Sequence, residues 1–94
     1  MPHETKTGGN KLGKIAKKMF EPDGKEPYYL GDKPIRNFQE LMENLGAFTT
    51  EEANWVASWI EYLGDEKTAK KIRKSTGKFK EILRKRHVKL LKYR

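Results

Sequence analysis

At 94 residues the chain makes one domain, and 36% charged against 35% hydrophobic residues gives it a modest core. It has no cysteine and a net charge of +8, and no apolar run approaches the ~18 residues of a membrane span. Disulfide scaffolds, thiolate metal sites and membrane-spanning helices are thereby excluded, and with no apolar signal segment at the start a soluble, cytoplasmic protein is expected.

Residues 1–18 carry +4, residues 19–65 carry −7 and residues 66–94 carry +11. An acidic body flanked by basic segments points to a polyanionic partner more strongly than uniform basicity does. The first 18 residues are rich in Gly, Lys, Thr and Asn, with Leu12 and Ile15 as aliphatic anchors. That composition predicts a flexible basic arm over 1–18 and a single small domain over 19–94, because so little apolar surface cannot offset the entropy of ordering. His3, inside the arm, reads as a solvated side chain.

Met19-Phe20, a Pro22-Asp23-Gly24 turn and Tyr28-Tyr29-Leu30 predict a short hairpin closed by that turn. Pro27 removes a donor and makes the second strand an edge. Gly31-Asp32-Lys33-Pro34 reads as another turn. Asn37 with Glu40 has the spacing of a capping box, and Phe38, Leu41, Met42 and Leu45 form one apolar face of a short helix stopped by Gly46.

Thr49 and Glu52 repeat the capping box ahead of a helix that carries both tryptophans and ends at Gly64. Ala53, Val56, Ala57, Ile60 and Leu63 form one stripe, with Trp55, Trp59 and Tyr62 beside it. So wide an apolar face predicts packing on two sides and the centre of the core. Large aromatics at this spacing read first as core, and the sharper alternative is that one indole is an exposed base-stacking surface.

Asp65 is placed to cap the next helix, Glu66 to about Ser75, whose apolar seam is little more than Ala69 and Ile72. A last helix runs from about Lys78 towards Tyr93, with Phe79, Ile82, Leu83, Leu90 and Tyr93 on one side. Arg86 falls by this apolar stripe, where snorkelling of its long stem is the ordinary expectation. His87 lies at the edge of the stripe. The expected fold is mainly α, with four helices, a short N-terminal hairpin and the arm.

The residues from 28 to 75 also resemble a small prokaryotic domain, often archaeal. In that pattern a strand and an Asp/Gly turn lead to a helix with a Glu-Leu pair, a second helix ends in Trp-Ile, and a Gly-Asp break precedes a third helix with a buried Ala. Leu30, Gly31, Asp32, Ile35, Asn37, Glu40 and Leu41 carry the first half of the match. Asn54, Val56, Ala57, Trp59, Ile60, Gly64, Asp65, Ala69 and Ile72 carry the second. The turn here reads Gly-Asp where the pattern has Asp-Gly, and Trp55 replaces an acidic residue. The resemblance implies a fold and transfers no activity.

Neither histidine has the sequence setting of a triad, and Gly64 to Thr68 lacks the spacing of a phosphate loop. No catalysis, cofactor or metal is expected. Cations instead cluster after Gly64, and they attract phosphates without requiring a particular fold. The candidate nucleic-acid-binding residues are Lys67, Lys70, Lys71, Arg73, Lys74, Lys78, Arg84, Lys85 and Lys89. The tryptophan helix, the Gly64-Asp65 turn and the following helix suggest a helix-turn-helix. That following helix has no Asn or Gln for adenine, so little sequence selectivity is expected. The alternative reading is an adaptor that binds an acidic protein or self-associates. The last helix is needed for the core, which weighs against a membrane role.

Overall fold

The computed structural model describes residues 3–93, with side chains from Lys11 to Tyr93. It is mainly helical with a small antiparallel hairpin. In chain order the elements are α1 (His3–Phe20), β1 (Tyr28–Leu30), β2 (Lys33–Ile35), α2 (Phe38–Glu43), α3 (Ala53–Leu63), α4 (Glu66–Lys74) and α5 (Phe79–Leu91), with 3₁₀ turns at Leu45–Ala47, Thr50–Glu52 and Thr76–Lys78.

A helix stands where composition predicts an arm. Leu12, Ile15, Ala16 and Met19 recur at three- and four-residue steps, and Phe20 follows. Ala16, Met19 and Phe20 are buried in the core, while Leu12 and Ile15 pack against it. Counting aliphatic residues missed this, because the stripe is short but in helical register. Residues 11–18 are thus part of the domain. The side chain of His3 lies outside the described range.

The hairpin is one turn later in the chain than expected. Met19 and Phe20 close α1, and Pro22-Asp23-Gly24 belongs to a connecting segment. The strands are β1 and β2, with Tyr28 opposite Ile35 and Leu30 opposite Lys33. Gly31 and Asp32 form the two-residue loop, and Gly31 has φ +65°. A positive φ at the first loop position is what a II′ turn reserves for glycine. The Gly-Asp order therefore has a backbone reason.

Local capping sets the next helices. The Asn37 side chain accepts from the Glu40 N–H at 2.8 Å, and the Glu40 carboxylate accepts from the Arg36 N–H at 2.9 Å. Glu52 likewise reaches back to the Thr49 N–H at 2.8 Å. Phe48 and Ala53, the staple positions around that cap, are both buried.

The core lies where α3 meets its neighbours: Val56, Ala57, Ile60 and Leu63 are buried with Phe38 and Leu41 of α2, Ala69 and Ile72 of α4, and Phe79, Leu83 and Leu90 of α5. Tyr93 is exposed, contrary to its expected place in the stripe of α5. His87 is half-buried, edge-on to Phe20 and Phe38 with ring centroids at 5.8 and 5.5 Å, and lies 3.1 Å from Gln39 Oε1.

The two tryptophans part company. Trp59 is buried and its indole N–H donates to the Glu26 carbonyl at 2.9 Å. Tyr62 uses the other side of the same residue, its hydroxyl accepting from the Glu26 N–H at 2.9 Å. The irregular segment between α1 and β1 is thereby fastened to α3. Tyr28 packs beside Phe48 and Trp59, and burial, with the Glu52 carboxylate adding to it, pushes its hydroxyl pKa up. Trp55 remains 68% exposed.

Candidate nucleic-acid interface

The basic surface is held in place by a buried charge pair. Gly64, at φ +134°, reverses the chain after α3, and its N–H and that of Asp65 both donate to the Ile60 carbonyl. Asp65 is fully buried and caps α4 as expected, accepting from the Thr68 N–H at 3.3 Å and the Thr68 hydroxyl at 2.7 Å. The same carboxylate takes two bonds from Arg86 of α5, Nε to Oδ2 at 2.8 Å and Nη2 to Oδ1 at 3.0 Å. Arg86 therefore does not snorkel; its guanidinium turns inward onto Asp65. A two-point bond of this kind fixes direction as well as distance. It joins the start of α4 to the middle of α5.

All nine candidate residues are exposed. Helical geometry sorts them by the positions that are buried. On α4, Thr68, Ala69 and Ile72 face inward, so Lys67, Lys70 and Lys74 point directly away from the core and Lys71 lies on one shoulder. Arg73 lies on the other shoulder, 2.7 Å from Glu61 and 3.3 Å from Ser58 Oγ of α3. On α5, Phe79, Leu83, Arg86 and Leu90 face inward. Lys78, Lys85 and Lys89 then share one flank, and Arg84 is set apart from them on a stripe with Val88 and Leu91.

The nine residues thus form two rows of cations and two outliers. Among the described residues, only Arg73 and Arg86 of the basic third lie within ion-pair distance of a carboxylate. α4 packs against both α3 and α5. α3 and α4 are joined through Gly64 and Asp65 and pack against each other, with lysines on the outward face of α4. An open cleft of about 510 Å³ lies elsewhere, lined by Lys17, Lys18, Lys25, Tyr62 and Gly64 among others. Among the described residues no group of three or more His, Asp or Glu side chains converges, and no helix is long and apolar enough to cross a membrane.

Sequence reasoning found the cations but missed the pair that positions them. Asp65 was legible as a cap. Nothing in its spacing points to a partner 21 residues away.

Fold and surface together define a small helical domain with a basic helical face. No family model, curated protein or solved structure matches the chain.

Proposed function

We propose that the chain binds nucleic-acid phosphates without catalysis and with little sequence selectivity, through the cations of α4, the turn after it and α5. The observation that carries this reading is a surplus of exposed positive charge without local compensation: Lys67, Lys70, Lys71, Lys74, Lys78, Arg84, Lys85 and Lys89 are exposed, and among the described residues none has a carboxylate within ion-pair distance. Each such cation placed against a phosphate releases condensed counterions, which favours binding. The outward face of α4 offers no Asn or Gln to read a base edge, in keeping with contacts to the backbone.

The test is titration of labelled single- and double-stranded DNA and RNA at several salt concentrations, with Lys67, Lys70, Lys71 and Lys74 changed together to Gln. The wild type is expected to bind more weakly as salt rises. The variant should lose affinity for every sequence and show a shallower slope of log K on log salt, by about 0.7–0.9 per phosphate contact removed. Equal binding by both proteins, or none by either, overturns the reading.

A second reading, an adaptor for an acidic protein surface, is favoured by Val88 and Leu91, exposed on α5 between Arg84 and Lys92. Nuclease-resistant co-purification with a partner, lost in Val88→Ser with Leu91→Ser, distinguishes it.

A further inference from the structure

Among the described residues Trp55 is the most exposed of the large aromatics. It is 68% exposed, while Trp59 four residues later is 7% exposed and hydrogen-bonded. An indole left in water forfeits the burial of about 150–250 Å² that makes tryptophan useful for stability. Packing therefore gives no reason for it here, and its neighbours supply one.

Ser58 stands one turn from Trp55 on the same side of α3, and the Arg73 guanidinium lies 3.3 Å from the Ser58 hydroxyl. α4 runs back along α3 from the Gly64 turn. Its last turn brings Arg73 beside α3, and the 3₁₀ turn containing Lys78 packs against α3 as well. Glu61 of α3 is paired with Arg73 at 2.7 Å. One turn before Trp55 the exposed Glu51 is unneutralised by any ion pair among the described residues. A phosphate chain passing the indole is thus attracted on the α4 side and repelled on the Glu51 side.

We propose that Trp55 is a stacking platform for one unpaired base of a single-stranded nucleic acid whose phosphates follow α4 and the turn after it. The inference rests on the phosphate-binding reading and names its ligand. An exposed indole face stacks on any base regardless of sequence, and in a duplex those base faces are already covered by their neighbours. Arg73 ties α4 to Ser58, one turn from Trp55.

The test compares a labelled oligothymidylate with an abasic deoxyribose-phosphate oligomer of equal length, on the wild type, Trp55→Ala and Trp55→Phe. Trp59 emission in the variants checks that the fold is kept. The wild type is expected to bind oligothymidylate about ten-fold more tightly than the abasic oligomer, with quenching of tryptophan emission by the former only. Trp55→Ala should remove that preference and leave abasic binding unchanged, while Trp55→Phe retains most of it. If Trp55→Ala binds oligothymidylate as tightly as the wild type, the platform is overturned and phosphate binding stands. Equal loss of both oligomers in Trp55→Ala also overturns it, because stacking cannot act on an abasic chain. Absence of wild-type binding to either oligomer at low salt overturns the phosphate reading itself.

Discussion

Arg86 occupies a core position on α5, and its charge is answered by a residue that sequence reasoning had already given another task. Asp65 caps α4 and neutralises Arg86 with the same two oxygens. Removing one member of a buried pair leaves the other charged and unsolvated, so Arg86→Met is expected to cost about 3–5 kcal/mol in urea unfolding. Adding Asp65→Asn to that variant should cost less than the sum of the single changes, because the stranded charge is gone. The cap was legible because capping is local chemistry at fixed spacing. The pair was not, because it depends on how two helices cross. The same distinction separates the tryptophans: spacing puts both on α3, but the segment that covers Trp59 and leaves Trp55 bare is irregular and has no period to read.

At the scale of elements, the helices from Asn37 onward are legible in their caps and stripes. α1 and the hairpin depart from the sequence expectation for opposite reasons. In α1 a true stripe was hidden by a polar, glycine-rich composition. Before the hairpin, Pro22-Asp23-Gly24 carries turn chemistry without strands on either side. Gly64 is the element boundary on which most depends. Its φ of +134° is costly for any side chain, and a Cβ there would lie 2.7 Å from Lys18 Cδ of α1. Gly64→Ala is therefore expected to lower stability by more than about 1 kcal/mol, measured by thermal or urea unfolding. Because the Lys18 stem can swing aside while the backbone angle cannot, adding Lys18→Ala should recover little of that loss.

The molecule as a whole concentrates its cations after Asp65, where Glu66 and Glu81 are the acidic residues among them. Their mutual repulsion opposes folding, and their attraction for phosphates promotes binding. Both effects weaken as added salt shortens the screening length from ~10 Å at 0.1 M to ~3 Å at 1 M. Sodium chloride should thus raise the urea midpoint of the free protein while it weakens nucleic-acid binding. The gain should be smaller in the variant with Lys67, Lys70, Lys71 and Lys74 changed to Gln. The charge division itself was legible from the sequence. Its separation into an α4 row, an α5 row, a paired Arg73 and an isolated Arg84 follows only from the buried faces and contacts of the fold.

The docking of α1 against α5 also fixes an order of events. During synthesis Met19 and Phe20 emerge long before Phe79 to Leu90, which complete their surroundings. Closing so long an intervening loop costs entropy that only the finished contact returns. The α3–α4 hairpin, joined by two residues, has no such wait. α1, which also packs against α2 and α3, therefore has its surroundings completed only when α5 has been made, and until then the part of its apolar stripe that α5 covers stays open to solvent.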